Sequence, residues 1–213
     1  MNVLTWNYRG AAKKPFKSTF NRFYRKYKVG VAAIFIWICW DSNDLNITLL
    51  VKHDQFIHFL VELPGKKPFC WTTVYANPHE DKRCCLWEEL KHIGRSMNDP
   101  WLILGDFNEI ASAAEKRGGS PVDVNHCGVG NRFTWRGPKF LHLDRVYKRL
   151  DRAVANAIWK ATFEDSDTIT LPRLFSDHCP ILVRLEKEDN CWRKHPFRFL
   201  ATWQNDPRFC LFP

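Results

Sequence analysis

Polar side chains end an apolar run at residues 100–110, where the sequence reads PWLILGDFNEI. Asp106 and Asn108 lie two residues apart, so an extended backbone directs both side chains to the same side. A carboxylate beside an amide can hold a divalent cation, or orient an attacking water next to a phosphate. An ordinary strand-to-loop turn is the alternative, since Asp and Asn are common turn residues. Asp106 and Asn108 are therefore candidate catalytic residues.

A second candidate site lies in the stretch LPRLFSDHCPILVRL, residues 171–185. Ser176, Asp177 and His178 directly precede a predicted strand there. A histidine can act as an acid, a base or a donor to a phosphoryl oxygen, and a nearby carboxylate can fix its tautomer or raise its pKa. A turn that happens to contain a histidine is the competing interpretation.

Further polar residues say little one at a time. An amide at the end of the N-terminal strand, in TWNYRG, is placed where it can reach a metal or a phosphate. The value of such residues lies in their combination and order along the chain. They are Asn7, Tyr75 in VYAN, Thr134 in RFTW and Asp151 in RLDRA.

Strands joined as hairpins must position most of these residues. The runs NITLLVKH, QFIHFLVEL, FCWTTVYA, WLILGDF and PILVRL are β-branched and aromatic, and turn signals separate several of them. The run VAAIFIWICW (31–40) predicts one buried strand. A short spacer at Asp54 predicts a hairpin, and hence antiparallel pairing.

Helices are predicted where apolar residues recur with helical spacing. In KKPFKSTFNRFYRKYK (13–28) the stripe is Phe16, Phe20, Phe23 and Tyr27, and the opposite face is basic. A solvated face is favoured there over direct contact with nucleic acid. KRCCLWEELKHIGRSM (82–97) predicts a second helix, and RLDRAVANAIWKATF a strand end plus a helix. This order indicates antiparallel or mixed sheets covered by helices, an α+β architecture.

Composition bounds the class of protein. The 213 residues are 45% hydrophobic and 26% charged, which is typical of one globular domain. The formal net charge of +9 favours polyanionic partners, nucleic acid above all. No run approaches the roughly 20 apolar residues that a membrane crossing needs. We expect an intracellular protein, nuclear or cytoplasmic, because no signal peptide is visible and the eight cysteines show no CxxC pair.

The ordered motifs resemble those of the endonuclease/exonuclease/phosphatase superfamily, which has the DNase I-like fold. They are most similar to the endonuclease domain of plant LINE-type (non-LTR) retrotransposons. This resemblance implies a four-layer α/β/β/α sandwich over residues 1–186, followed by a linker-like tail at 187–213. The motifs are LTWNYRG, VYANP with Arg83 and LWEEL after it, WLILGDFNEI, GNRFTWRGP, YKRLDRAVANAIW and LFSDHCPIL.

The resemblance also implies catalytic roles. Asp106 would position or deprotonate the nucleophilic water, and Asn108 would hold the scissile phosphate. His178 would contact the phosphate and stabilise its transition-state charge, with Asp151 orienting the imidazole and Tyr75 close by. The implied chemistry is hydrolysis of a phosphodiester in DNA, dependent on Mg²⁺ or Mn²⁺.

The remaining implied roles concern metal and substrate. Asn7 and Asp177 would contribute to the environment of the metal. Thr134, Ser176 and Arg83 would be supporting residues on the substrate side. No protein partner can be inferred from the sequence.

The chain departs from the family pattern at two places. The family carries a metal-binding Glu on its second core strand, but no acid lies between Lys28 and Trp40. The chain is shortened near 28–31, where we expect one core strand to be missing, and again near 126–130. Loss of a carboxylate removes a principal attraction for Mg²⁺. We therefore expect impaired activity. The alternatives are a non-catalytic, nuclease-derived protein that binds nucleic acid, and a phosphatase of the same superfamily, which the basic charge disfavours.

Overall fold

The structure is a computed structural model that describes residues 1–8, 14–34, 37–40, 45–118, 133–139 and 144–186. The predicted tail at 187–213 and the shortening near 126–130 lie outside these residues. Within the described residues, no helix has the length and apolar content that a membrane crossing requires.

The secondary structure alternates groups of strands with single helices. The helices are α1 (Lys14–Lys26), α2 (Glu80–Ser96) and α3 (Ala157–Thr162), with a short 3-10 helix at Ala113–Glu115. The strands are β1 (Asn2–Trp6), β2 (Val29–Ile34), β3 (Trp37–Trp40), β4 (Asn46–His53), β5 (Phe56–Glu62), β6 (Phe69–Tyr75), β7 (Trp101–Asp106), β8 (Lys116–Arg117), β9 (Trp135–Arg136), β10 (Tyr147–Lys148), β11 (Asp151–Ala155), β12 (Asp167–Thr170) and β13 (Ile181–Arg184).

Two five-stranded mixed sheets form the body of the protein. The first sheet has the order β12-β13-β1-β2-β3, and the second has the order β11-β7-β6-β5-β4. Most pairs are antiparallel, including the predicted hairpin of β4 and β5 around Asp54. The pairs β1–β2 and β6–β7 are parallel. A separate small sheet has the order β8-β10-β9.

The interior core lies between the two large sheets. Val3 and Val183 of the first sheet belong to the same buried cluster as Trp71 and Leu104 of the second. Because successive side chains of a strand point to opposite faces, Leu4 lies on the other side of the first sheet. Each sheet therefore has a second apolar face that another layer must cover.

The helices supply those outer layers. The predicted stripe of α1 packs on the outer face of the first sheet, with Phe23 buried beside Trp6. Leu86 and Leu90 of α2 pack with Phe56 and other residues on the outer face of the second sheet. Helix, sheet, sheet and helix thus follow one another, which confirms the predicted four-layer α/β/β/α sandwich.

The prediction of one strand over residues 31–40 is wrong. That run forms parts of β2 and β3, which pair antiparallel with Ala33 opposite Ile38. The run is apolar throughout, so its pattern gave no signal for the break. The loss of a core strand near 28–31 stays a prediction. In the structure, β1 is paired on both sides, with β13 and with β2. Its hydrogen-bond ladder is therefore complete.

Gly105 is required where β7 passes β6. Its φ is +149°, and a Cβ built there would lie 1.9 Å from the carbonyl oxygen of Val74. Neither β6 nor β7 can shift freely, because each is paired on both sides in the second sheet. This close approach places the next residue, Asp106, at the rim of the sheet.

We predict that Gly105→Ala lowers the free energy of unfolding by more than about 4 kcal/mol, because the new methyl group collides with main chain. Gly65→Ala is the matched control, since Gly65 also has positive φ (+71°) but no atom within 4 Å of an added Cβ. Its cost should be about 1 kcal/mol. Urea denaturation of both variants measures the difference, and equal costs would contradict the account.

Candidate active site

Three predicted site residues lie in one row at the rim of the second sheet. Asp106, the last residue of β7, pairs with Tyr75 of β6 on one side and with Asp151 of β11 on the other. Directly opposed residues of neighbouring strands project their side chains to the same face. The second sheet therefore brings two carboxylates and a phenol to one place.

The first sheet contributes Asn7 and His178 to the same place. Asn7 directly follows β1, and His178 lies shortly before β13, the strand that pairs with β1. Asn7 Nδ2 donates to Asp106 Oδ2 at 2.7 Å. His178 Nδ1 lies 2.9 Å from Asp151 Oδ2, and it must donate there because a carboxylate only accepts. Two hydrogen bonds thus join the sheets at this end of the sandwich.

The carboxylate and imidazole that the sequence singled out are close together. His178 Nε2 lies 3.8 Å from Asp106 Oδ2 and 3.3 Å from Asn7 Nδ2. Asp106 is 2% exposed, Asp151 3% and His178 0%. The four residues Asn7, Asp106, Asp151 and His178 form a candidate catalytic cluster (the catalytic cluster).

Asn108 is fixed beside this cluster by the turn that follows β7. Its φ is +48°, a left-handed conformation that asparagine tolerates better than most residues. Its main-chain N–H donates to Asp106 Oδ1 at 2.9 Å, and its Nδ2 donates to the carbonyl of Ala76 at 2.7 Å. The side-chain amide is therefore held at the rim between β6 and β7.

Ser176 and Thr134 use their hydroxyl groups to hold main chain around the catalytic cluster. Ser176 Oγ donates to the carbonyl of Asn7 at 3.0 Å and accepts from His178 N at 3.1 Å. Thr134 Oγ1 accepts from Leu150 N at 3.0 Å and from Asp151 N at 2.9 Å. Both residues are buried, so these contacts position Asn7, His178 and Asp151.

The structure does not bring Asp177 and Arg83 into the catalytic cluster. Asp177 Oδ2 accepts from Trp135 Nε1 at 3.1 Å, on the side of the small sheet. Arg83, in α2, donates from Nη1 to the carbonyls of Asn77 (3.1 Å) and Pro78 (2.8 Å). Arg83 is 7% exposed, and these bonds hold the main chain that follows β6.

The pKa of Asp106 is raised to about 6, chiefly by burial and next by the charge of Asp151. The imidazole of His178 and the hydrogen bonds from Asn108 and Asn7 act in the opposite direction. The folded protein therefore retains a proton on Asp106 at pH values where an exposed aspartate is ionised.

Burial by itself would lower the pKa of His178, but the neighbouring carboxylates outweigh it. The hydrogen bond and the charge of Asp151 raise the pKa, and the charges of Asp106 and Asp177 add to this, so the net shift is upward. His178 therefore holds its proton more tightly than an exposed histidine does, with Nδ1–H bound to Asp151 and Nε2 directed toward Asp106.

The donor atoms of this cluster fit a divalent cation. Ligand atoms of Asp106, Asp151 and His178 lie within 4.8 Å of one another, but Asp151 and His178 are already hydrogen-bonded to each other, which leaves the carboxylate of Asp106 for a cation. Asn7 Oδ1 is buried and has no hydrogen-bond partner among the described residues. A buried amide oxygen without a partner costs free energy that a bound cation would offset. By contrast, β2 consists of VGVAAI and supplies no carboxylate beside β1.

Sequence reasoning missed several residues that hold the site together. Arg152 donates to both carboxylate oxygens of Glu115 at 2.7 Å, and also to the carbonyl of Glu109 at 2.7 Å. It thereby ties the chain after Asn108 to β11. Trp6 Nε1 donates to the carbonyl of His178 at 3.3 Å. The only signal was adjacency, since Arg152 follows Asp151 and Trp6 precedes Asn7 in the quoted motifs.

The Endonuclease/Exonuclease/phosphatase family matches residues 5–178 of the chain, a range that spans the whole catalytic cluster. No curated protein matches the chain.

Solved structures share the fold at low sequence identity. The endonuclease domain of TRAS1, a telomere-specific non-LTR retrotransposon, is similar with a TM-score of 0.66 and 13% identity, over 88% of this chain and 99% of that chain. TDP2 from C. elegans gives a TM-score of 0.54 and 12% identity, over 85% and 74% of the two chains. ANGEL2, a 2′,3′-cyclic phosphatase, gives 0.51 and 10%, over 85% and 93%.

We predict that Asp106→Asn stabilises the metal-free protein at neutral pH. The folded-state pKa is raised from 3.8 to about 6, so wild type loses stability as pH rises through this window. The variant should be more stable by on the order of 2 kcal/mol at about pH 7.5, with no difference near pH 4. Urea denaturation in EDTA measures this, with the exposed turn variant Asp54→Asn as control. A variant less stable than wild type at neutral pH would contradict the prediction.

Proposed function

We propose that this chain, which belongs to the Endonuclease/Exonuclease/phosphatase family, is a metal-dependent phosphodiester hydrolase that nicks DNA. One observation carries the proposal. Asp106 from the second sheet and His178 from the first meet 3.8 Å apart in one buried cluster, with Asn7 and Asp151 bonded to them. Phosphodiester hydrolysis uses a general base, hydrogen-bond donors to the phosphate and metal ligands, and these residues can fill such roles.

Each residue of the site has its own role in the proposed hydrolysis. Asp106 positions the attacking water or accepts its proton. His178, oriented by Asp151, stabilises negative charge on the phosphoryl oxygens. Asn108 presents its fixed amide to the scissile phosphate.

A divalent cation would be held by Asp106 and by Asn7 Oδ1, which is buried and has no hydrogen-bond partner among the described residues. Mg²⁺ or Mn²⁺ is the natural choice for oxygen ligands of this kind. When bound, the cation supplies polarisation of the phosphoryl oxygen and acidifies water. Asp177 belongs to the wider environment of this cation, since its charge reaches His178 while its carboxylate is bonded to Trp135.

DNA is the substrate class that charge and fold together favour. The net charge of +9 attracts a polyanion and disfavours a small phosphorylated molecule as the main partner. The similarity in fold to the endonuclease domain of a non-LTR retrotransposon agrees with the retroelement-like motifs. ANGEL2, a 2′,3′-cyclic phosphatase, has a similar fold, so the fold alone does not select the substrate.

Turnover should be slow, because one metal ligand is missing. The strand beside β1 and Asn7 carries no acid, so the cation has fewer carboxylates than the family pattern provides. This observation favours a second candidate function, a nuclease-derived protein that binds DNA without cleaving it. The two candidates differ in turnover and agree in partner.

Nicking of supercoiled plasmid in Mg²⁺ or Mn²⁺ separates the candidates. We predict slow nicking by wild type, stronger in Mn²⁺, and a loss of at least about 100-fold in Asp106→Ala and in His178→Ala, because each removes a group needed in the transition state. The exposed variants Asp54→Ala and His92→Ala are matched controls that should retain wild-type rates.

Equal inertness of wild type and both cluster variants would overturn the proposed activity. If salt-sensitive DNA binding persisted in that case, the non-catalytic candidate would replace it.

A further inference from the structure

A basic cleft opens beside the catalytic cluster, and the cluster does not use it. Its volume is about 450 Å³. Four segments surround it: the end of β8, the segment before β9, the segment that leads into β10 and the segment before β13. The side chains that matter here are Arg117, Phe133, Asp144, Arg145, Tyr147 and Arg173.

Short connections join the cleft to the catalytic cluster. Arg173 Nη2 donates to the carbonyl of Thr134 at 3.3 Å, and the hydroxyl of Thr134 accepts from Asp151 N at 2.9 Å. On the other side, Arg117 follows Glu115 by two residues, and Glu115 is bound by Arg152, the neighbour of Asp151. A nucleic-acid strand that reaches the catalytic cluster along this side therefore passes the cleft.

The charges in the cleft are unbalanced in favour of an anion. Three guanidinium groups face one carboxylate, that of Asp144. The Nε atoms of Arg145 and Arg173 are buried and have no hydrogen-bond acceptor in the part of the chain that the structure describes. Buried donors without acceptors are costly, and guanidinium groups match the oxygens of a phosphate with two parallel bonds.

The main chain around Arg145 is held in place before any ligand binds. Gly118 has φ +79°, and a Cβ there would lie 2.6 Å from the carbonyl of Arg145, so only glycine lets the two segments approach. Gly137 N donates to the carbonyl of Val146 at 2.8 Å on the opposite side. Tyr147 pairs with Arg117 in β8. A preformed cleft loses little conformational entropy on binding.

We propose that this cleft is a second phosphate-binding subsite, which holds a phosphodiester of the substrate strand near the one that is cleaved. The inference rests on the proposed function, since it gives the catalytic cluster a nucleic-acid strand as its substrate. Arg145 and Arg173 bind the phosphate oxygens, and Arg117 adds charge. The rings of Phe133 and Tyr147, with centroids 6.1 Å apart, form an apolar wall for the adjoining sugar.

The salt dependence of DNA binding tests this subsite. Binding of a DNA duplex of about 20 base pairs is measured by fluorescence anisotropy. EDTA is present so that no metal-dependent cleavage occurs. Arg145→Gln should lower affinity roughly tenfold at about 50 mM salt and reduce the slope of log affinity against log salt by about one. Arg117→Gln should act in the same direction.

Two controls make the result specific to the cleft. Arg145→Lys keeps the charge and should keep most of the slope. Arg95→Gln removes an exposed arginine of α2 and should leave the slope unchanged. Thermal unfolding of each variant, compared with wild type, identifies any loss that comes from misfolding.

The subsite is overturned if Arg145→Gln and Arg117→Gln keep the wild-type slope, if Arg95→Gln changes it equally, or if wild type binds no DNA. Failure of the subsite is distinguishable from failure of the proposed activity. Nicking with unchanged slopes overturns the subsite alone, whereas arginine-dependent slopes without nicking overturn the proposed activity alone.

Discussion

Two buried hydrogen bonds join the two large sheets, and the arrangement of the candidate site depends on them. Asn7 donates to Asp106, and His178 to Asp151, at one end of the sandwich. Burying carboxylates is costly unless partners satisfy them. Burial raises the pKa of Asp106, whereas the neighbouring carboxylates raise the pKa of His178 against the effect of burial. Burial and charge therefore coincide at this one end of the layered fold.

The fold was largely predictable, because its elements have local patterns. The stripe from Phe16 to Tyr27 and the hairpin at Asp54 depend only on neighbouring residues, and both are present. The break inside residues 31–40 was not predictable, because an unbroken apolar run carries no turn signal. The neighbour relations of the strands are also non-local, so the parallel pairing of β1 with β2 needed the structure.

The candidate site was predictable only in part. Asp106 and Asn108 stood out because polar residues end an apolar strand. That His178 meets Asp106 came from the order of motifs, since 72 positions separate them and no local pattern links two sheets. Arg83 looked like a substrate residue, yet its guanidinium holds carbonyls. The arginine cleft was invisible, because its members are spread over separate segments.

The titration of the His178 imidazole, followed by NMR in metal-free buffer, tests the central claim most directly. If the two sheets meet as described, the pKa of His178 lies above its ordinary 6.5 in wild type. In Asp151→Asn it falls, because burial then acts with less opposition. A histidine that titrates at or below 6.5 in wild type, and that does not respond to Asp151→Asn, would contradict the joined cluster on which the site depends.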